Sequence, residues 1–591
     1  MKQGKRLWSA LLALALLAGC APGRTEPLPY PEPAASEPGK TVAYVPLDDR
    51  PDNVERVEYL AESLGYALAM PEKVLYRTAL DHQPKNFDSL QRGEPWSLFT
   101  WVLDQEAAGC DRYILSLDQL HSGGLVSSRS LTGDELELPG GGTVDPSQML
   151  ENLLAKLAED GNNVVWLLDS VMRLAPTVGY EGGTLEEYNA LRAYGSEPRE
   201  TLEGREALTF ANVCLSYCCG ADGEPLPEPE GFGSELLEGY LAARERKLRL
   251  SDQVQHILSR PGYENFRLLI GIDDSSLEDC IQKNEIAYLR QGLRTEERED
   301  GKQLDWLLSG VDDLAFKAVT RLYLDETGWL GHSANLQYIG GTEDRPACEY
   351  DFQPLSEIVY EHFQFFDLLE GRAAQLHVLV LTQPEDESLK QAYISQLLQA
   401  LKECREDYPE PVILIDASNG TYGTAVYEAL TKKAELGYLL AYSGMLDMAI
   451  VTGTALSHGM ARYAVLKNGE NTDAMDRAWA RTLADSILKD FCYKGLVRNE
   501  LLSYIRNELG GDPNNFWSPE LDRENLLSRL EAGMEKETAP VIRNLERSSF
   551  LSSLEEEPEE RRWGGVALEN YRFPWDRAFE IGMDIRLGEF R

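Results

Sequence analysis

Acidic residues and an arginine follow an apolar run near the start of the chain, in the stretch Thr41–Asn53 (TVAYVPLDDRPDN). The run Thr41–Val45 has the β-branched and aromatic content of a buried strand. Asp48, Asp49 and Arg50 come just after it, in the turn before a predicted helix. In open α/β sheets and in α/β barrels, ligands bind at the carboxyl ends of the strands. These three side chains are therefore candidate site residues.

The same arrangement recurs at later apolar runs that end in aspartate. They are Tyr113–Leu117 before Asp118, Val164–Leu168 before Asp169, Leu268–Ile272 before Asp273 and Asp274, and Val412–Ile415 before Asp416. Helical patterns separate these runs, and the alternation predicts an α/β fold with mainly parallel strands. Doubly wound sheets and a distorted barrel are both compatible with it. The recurrence indicates an acidic site at the strand ends.

Arginines accompany several of these acids. Arg129 ends the stretch Ser116–Arg129, and Arg173 follows Asp169 closely. Crowded carboxylates raise one another's pKa unless a cation lies between them, and these arginines supply that balance. We predict the following roles: catalysis by Asp49, Asp118 and Asp274, and substrate binding by Asp48, Arg50, Arg129, Arg173, Asp273 and Asp416.

Three chemistries use carboxylates and arginines at strand ends. Paired carboxylates cleave glycosidic bonds, clustered carboxylates hold Mg²⁺ or Ca²⁺, and both groups hydrogen-bond sugar hydroxyls without reaction. No Walker A, dinucleotide, GxSxG or HExxH motif is present, so we predict no cofactor and leave a divalent cation open. The leading hypothesis is a hydrolase that acts on carbohydrate or cell-envelope glycan. The alternatives are a non-catalytic protein that binds sugar or another small ligand, and a metal-dependent hydrolase.

Some charged residues have simpler interpretations. Asp312 and Asp313 precede a helical pattern, where helix capping is the favoured interpretation. The basic residues of the predicted helix Leu236–Leu258 fit a solvated face. They are Arg244, Arg246, Lys247 and Arg249.

The N-terminus has the features of an export signal. Basic residues precede the short apolar run Leu11–Ala18, which is too short to span a membrane comfortably. Leu17–Cys20 (LAGC) then resembles the lipobox of bacterial lipoproteins, which implies lipidation of Cys20. We predict a signal peptide over 1–20, a disordered Pro-rich tether over 21–40 and a lipid anchor on the extracytoplasmic face of the bacterial membrane.

Composition limits the partners of the folded part. The 591 residues carry 57 Lys and Arg against 99 Asp and Glu, a net charge of −42. Such a charge repels phosphate backbones and anionic membrane surfaces, so we predict no nucleic-acid partner. Besides Cys20, the eight other cysteines of the nine are too sparse for a disulfide framework, and the cluster Cys214, Cys218 and Cys219 lacks a second ligand pair for a metal. The oligomeric state is left open.

The pattern changes at about Asp473. Long helical patterns dominate beyond it, and strand patterns return only near the end of the chain. We predict an α/β body over 41–470 and a helical C-terminal region over 471–591, which contains Trp517, Trp563 and Trp575.

Three motifs carry a resemblance to a known family. PLDDRPDN at Pro46–Asn53, SLDQLHSGGLVSSR at Ser116–Arg129 and IGIDDSS at Ile270–Ser276 resemble the uncharacterised bacterial family called domain of unknown function 4127 (DUF4127). The segment from Gly310 to Arg321 is similar too, with Asp313 in place of a glutamate. Asp416–Gly420 fits the family's Asp-x-x-x-Gly turn, whereas Met445, Leu446 and Asp447 replace its Trp-Asn-Thr. The resemblance implies no established activity.

Overall fold

The computed structural model describes residues 40–87, 89–133, 136–138, 141–276, 278–295, 303–329, 331–341, 350–372, 374–382, 384, 386–406, 409–418, 423–469, 471–554 and 558–591. The signal peptide with Cys20 and nearly all of the tether lie outside these residues, as does the end of the Asp416–Gly420 turn.

The strands are mostly short and apolar. In chain order they are β1 Thr41–Val45, β2 Ala67–Ala69, β3 Arg112–Ser116, β4 Leu136–Glu137, β5 Thr143–Val144, β6 Val164–Val171, β7 Phe266–Ile272, β8 Trp306–Ser309, β9 His332–Ile339, β10 Leu368–Glu370, β11 Leu376–Leu381, β12 Val412–Asp416, β13 Ala441–Gly444, β14 Ser549–Leu551, β15 Glu560–Arg562, β16 Val566–Arg572 and β17 Gly582–Leu587.

Helices follow nearly every long strand. They are α1 Glu55–Ser63, α2 Pro95–Ala107, α3 Leu117–Ser122, α4 Pro146–Leu157, α5 Leu185–Ser196, α6 Phe210–Ser216, α7 Ser234–Leu258, α8 Gln282–Gln291, α9 Leu314–Glu326, α10 Leu355–Phe365, α11 Lys390–Glu406, α12 Gly423–Lys433, α13 Met448–Asn468, α14 Asp473–Ile487, α15 Arg498–Ser503 and α16 Arg523–Leu545, with π-helical segments over Leu488–Val497 and Tyr504–Glu508.

Two parallel sheets organise the body. Within the described residues, the first has the order β2-β1-β3-β6-β7-β8 and the second the order β10-β9-β11-β12-β13. Each begins with the doubly wound order 2-1-3-4-5, in which the chain first moves outward and then returns past its starting strand. The predicted α/β class is confirmed. Both sheets are open, so the layout is doubly wound sheets rather than a distorted barrel. Ligand crevices of such sheets lie at the reversal point, which is between β1 and β3 in the first sheet.

A shared hydrophobic core joins the two sheets. Val42 of β1, Leu308 of β8 and Val378 of β11 belong to one cluster of buried side chains. Helix α13 is buried along most of its length because small and apolar residues occupy most of its faces. It packs on β12, β13 and helices α9 and α10. The strand ends of the first sheet therefore lie close to the beginning of α13.

The C-terminal region is helical until its last strands, as predicted. Helix α14 continues into the π-helical segment Leu488–Val497, and the antiparallel pairs β14–β15 and β16–β17 end the chain. The loop 573–581 between β16 and β17 returns to the turn after β1, because Trp575 and Glu580 contact residues of that turn. None of the helices in the described part of the chain is long and apolar enough to cross a membrane.

Candidate functional site

The turn after β1 is held together by Asp48. This buried carboxylate accepts hydrogen bonds from Arg50 Nε (2.8 Å), Arg50 Nη2 (2.7 Å) and Asn53 Nδ2 (3.1 Å). The backbone N–H of Arg50 also donates to it, at 3.0 Å. The predicted substrate-binding residue Asp48 thus lies inside the turn, where it fixes the direction of the Arg50 side chain.

Arg50 connects this turn to the strand end of β8. Its Nη1 and Nη2 donate to the two carboxylate oxygens of Asp312 at 3.1 and 2.5 Å, a bidentate arrangement. Asp313 pairs instead with Lys317, at 2.9 Å. Neither aspartate forms a side-chain cap on α9, so the capping interpretation is wrong for both. The guanidinium of Arg50 also lies 5.1 Å from the centroid of the Trp575 ring.

Asp49 points to the other side of the same turn. Its Oδ1 accepts hydrogen bonds from Trp575 Nε1 (2.9 Å) and from the backbone N–H of Thr78 (3.2 Å), and its Oδ2 lies 3.7 Å from Lys73 Nζ. Burial raises the pKa of this carboxyl above its usual range, against the opposing effects of Lys73 and of the Trp575 hydrogen bond. Asp49 therefore combines a raised pKa with access to a cavity.

That cavity, the Asp49 pocket, has a volume of about 220 Å³. Its lining combines an aromatic ring, carboxylates, cations and amide or hydroxyl groups: Asp49, Pro51, Lys73, Arg77, Thr78, Gln83, Arg572, Phe573, Pro574, Trp575 and Asp576. The pocket lies beside the reversal point of the first sheet, since β1 borders that point. It is formed jointly by the α/β body and by the C-terminal loop 573–581.

The backbone of this loop is strained where it meets the pocket. Trp575 and Asp576 have φ of 55° and 49°, a left-handed conformation that is unfavourable for residues with a side chain. Hydrogen bonds hold both residues there: the Trp575 indole donates to Asp49, and the Trp517 indole donates to Asp576 Oδ2 at 3.0 Å. Strained residues that their surroundings hold in place are typical of functional sites.

Asp118 lies in a different environment, inside a buried charge cluster. Lys247 of α7 is 2.7 Å from Asp118 and also pairs with Asp169, and Ser170 Oγ donates to Asp118 at 2.8 Å. Asp118, Asp169 and Lys247 are all buried. Asp169 is part of β6 rather than of the loop after it. The solvated-face interpretation of α7 is therefore wrong for Lys247, and equally for Arg244, which pairs with Glu285.

Four further predicted site residues form two ion pairs near the ends of β6 and β7. Arg129 pairs with Asp273, and Arg173 Nη2 lies 2.7 Å from Asp274 Oδ2. Burial raises the pKa of Asp273, which Arg129 opposes and Asp274 reinforces. Asp273, Asp274 and Asp312 line one small cavity, of about 20 Å³. The structure thus connects the β7 and β8 strand ends, next to but separate from the residues that line the Asp49 pocket.

Asp416 lies at the strand end of β12 in the second sheet. Its carboxylate accepts a hydrogen bond from Ser418 Oγ, and the hydroxyls of Tyr427 and Tyr442 donate to it at 3.4 and 3.3 Å. It is buried, and burial raises its pKa. The structure does not bring Asp416 into the Asp49 pocket.

Sequence reasoning missed the residues that the C-terminal region contributes. For Trp575 and Asp576, nothing in the sequence besides the residue type indicates a role in a site. No sequence motif includes Glu580 or Lys494. With respect to metals, the structure places no group of three or more His, Cys, Asp or Glu side chains suitably for an ion within the residues it describes. The predicted carboxylates are paired mainly with arginine and lysine instead.

Comparisons with known proteins give one match. A family model described as "Protein of unknown function (DUF4127)" matches residues 42–206 and 228–584. No curated protein and no solved structure matches the chain. The matched ranges include the turn after β1, the strand ends of β3, β6, β7 and β8, and the loop 573–581.

Proposed function

The chain belongs to the DUF4127 family, and from the geometry of its strand-end site we propose that it is a lipoprotein of the bacterial cell envelope that binds a carbohydrate in the Asp49 pocket. One observation carries this proposal: a strained tryptophan is hydrogen-bonded to a buried aspartate at the wall of a polar cavity. A sugar ring offers an apolar face to an aromatic side chain and hydroxyls that both donate and accept hydrogen bonds. The pocket supplies a partner for each.

The size and polarity of the pocket support this ligand class. A cavity of about 150 Å³ holds benzene, so the 220 Å³ of the Asp49 pocket suit one substituted six-membered ring. Most sites for drug-like ligands are lined mainly by apolar groups, whereas Lys73, Arg77, Gln83 and Asp576 make this one polar. A polar ligand such as a sugar fits that lining best.

Replacing Trp575 by Ala is expected to weaken glycan binding at least about tenfold, because a central aromatic contact and the support of Asp49 are both lost. The measurement is titration calorimetry with chito-oligosaccharides, cell-wall muropeptides and neutral glucans, using the chain from residue 40 onward. Trp96→Ala is the matched control, because Trp96 stacks on Phe99 and does not line the pocket. Equal affinity of the Trp575→Ala protein and the wild type for a bound glycan would contradict the proposal.

Hydrolysis of the bound glycan is the second candidate function. It is favoured by the raised pKa of Asp49, since a raised pKa extends to higher pH the range in which a carboxyl can act as a general acid. Asp576 lines the same pocket and is the candidate for a second carboxylate. Asp118 and Asp274, the other predicted catalytic residues, are paired with Lys247 and Arg173 and do not line this pocket. This candidate therefore depends on Asp49.

The lipid anchor is the part of the proposal that rests on the N-terminal sequence alone. Replacing Cys20 by Ser is expected to move the full-length protein from the membrane fraction to the soluble extracytoplasmic fraction, because the acylated residue is lost. Cell fractionation with immunodetection measures this. Cys218→Ser, at an exposed cysteine of the body, is the control. Membrane retention of the Cys20→Ser protein would contradict the anchor.

A further inference from the structure

A second cavity lies on the opposite side of the turn from the Asp49 pocket. This Lys494 cavity has a volume of about 90 Å³. Five segments of the chain line it, with Arg50, Asp52, Arg56, Asp312, Phe316, Leu446, Ile450, Thr454, Lys494, Phe579 and Glu580. Along the turn, Asp49 and Pro51 face one cavity while Arg50 and Asp52 face the other. The two cavities are therefore separate sites with a common wall.

Two buried cations at this cavity have unused hydrogen-bond donors. The side chain of Lys494 is only 3% exposed, and its Nζ lies 3.3 Å from Asp490 Oδ1. Neither this ammonium nor Nε of Arg56 makes a hydrogen bond to any residue that the structure describes, although Arg56 Nε lies 3.6 Å from Asp485 Oδ2. A buried donor without an acceptor is unfavourable, and more so when it is charged. Lys494 belongs to the π-helical segment Leu488–Val497, a geometry that is rare and frequent at functional sites.

The aspartates at the cavity are already compensated by cations. Asp52 lies 3.0 Å from Lys489 Nζ and 3.5 Å from Arg56 Nη1. Asp312 is held by the bidentate contact with Arg50. Burial disfavours the charged form of Asp52, but Lys489, Arg56 and Lys494 overcome this effect and lower its pKa. Both carboxylates are therefore already ion-paired with other side chains.

The remaining acid, Glu580, differs from them. It is buried, and the backbone N–H of Asp52 donates to its Oε1 at 3.3 Å. Burial and the charge of Asp52 raise its pKa to about 8, against the opposing effects of Lys489 and Arg50. This raised pKa extends to higher pH the range in which the side chain is an uncharged acid that can donate a hydrogen bond. Glu580, Lys494 and Arg56 thus line the cavity, whereas Asp485 and Asp490, the acids beside the two cations, do not line it.

We infer that the Lys494 cavity binds the carboxylate group of a small organic acid, as a site separate from the carbohydrate pocket. A carboxylate has two acceptor oxygens and a charge that suits an ammonium and a guanidinium. The volume corresponds to about three water molecules at 30 Å³ each, enough for a carboxylate with one or two further carbons. Phe316, Leu446, Ile450 and Phe579 form apolar walls for those carbons. The inference does not depend on the proposed function.

Titration calorimetry with sodium propionate, with propionamide as the uncharged comparison, tests this site. Propionate is expected to bind and propionamide to bind at least tenfold more weakly. Lys494→Met is expected to weaken propionate binding at least tenfold, whereas Lys536→Met, at an exposed lysine, leaves it unchanged. Ile450→Phe fills the cavity without changing a charge and is expected to abolish binding even where Lys494→Met unfolds. Equal binding of the two probes, or wild-type affinity in the folded Ile450→Phe protein, would overturn the inference.

The pH profile of propionate binding gives a second measurement. Charged groups that face Glu580 are Arg50, Asp52, Arg56, Asp312, Lys489 and Lys494. Between pH 6 and 9, affinity is expected to fall as pH rises through about 8, because ionised Glu580 repels the bound carboxylate. Glu580→Gln is expected to remove this dependence, since the amide donates at every pH. An identical fall in the Glu580→Gln protein would place the carboxylate elsewhere.

Discussion

Replacing Lys247 by Met is expected to lower the free energy of unfolding by about 3–5 kcal/mol, the usual loss when one partner of a buried ion pair is removed. The substitution preserves most of the side-chain volume but leaves Asp118 and Asp169 buried without their cation. Both aspartates are inaccessible to solvent, so water cannot replace the ammonium. Urea unfolding followed by circular dichroism measures the difference.

Two further variants give this prediction its controls. Lys432→Met removes an exposed pair with Glu428 and is expected to change stability by less than about 0.5 kcal/mol. The triple variant Lys247→Met, Asp118→Asn, Asp169→Asn is expected to recover much of the loss, because no uncompensated charge stays buried. A Lys247→Met protein whose free energy of unfolding is within about 1 kcal/mol of the wild-type value would contradict the prediction that Lys247 compensates the charges of Asp118 and Asp169.

Asp49→Asn is expected to reduce cleavage of a glycan substrate about 10²–10⁴-fold, the usual contribution of a general acid, if the pocket is catalytic. The amide keeps the shape of the side chain and can still accept from the Trp575 indole, so binding should change much less than turnover. Wild-type turnover should decrease as pH rises through the raised pKa of Asp49, because only the protonated carboxyl donates. Product release from the glycan panel measures turnover.

The exposed turn residue Asp160 provides the control, since Asp160→Asn is expected to leave turnover unchanged. Asp274→Asn, run in parallel, tests the sequence-based assignment of that residue, and a comparable loss would extend the site to the Asp274–Arg173 pair. A folded Asp49→Asn protein with wild-type turnover would remove Asp49 from the chemistry. If the wild-type protein binds glycan without releasing any product, the hydrolase candidate is contradicted and only the carbohydrate-binding function is retained.

Local sequence pattern predicted the strands and their acidic ends, because apolar β-branched runs and strand-end turns are local features. It therefore located Asp49, Asp273 and Asp274 at the correct edge of the first sheet. It ended this strand at Leu168 instead of Val171 and so placed Asp169 in a loop rather than in β6. An aspartate inside a strand is unusual unless a buried cation compensates its charge. That cation, Lys247, lies on a helix far along the chain.

The rest of the site depends on contacts that no local pattern contains. Trp575 reaches Asp49 across 526 residues of sequence, and Arg50 reaches Asp312 across 262. Local pattern assigned Asp312 to a helix cap, because strand-end acids before helices usually have that role. Glu580 and Lys494 acquire their properties only from burial beside other charges. Such properties require the tertiary structure.

The direction of β1 has a consequence for a protein held at a membrane. Lys40, the first residue that the structure describes, precedes the amino end of this strand. The Asp49 pocket lies beyond the carboxyl end of the strand, about 13 Å along the strand axis and more through the turn. The proposed anchor would therefore be attached at the end of β1 that is farther from the pocket. A Pro-rich sequence of the length of 21–40 spans at most about 60 Å. The anchored protein would sample glycan only within that distance of the lipid surface, plus its own height.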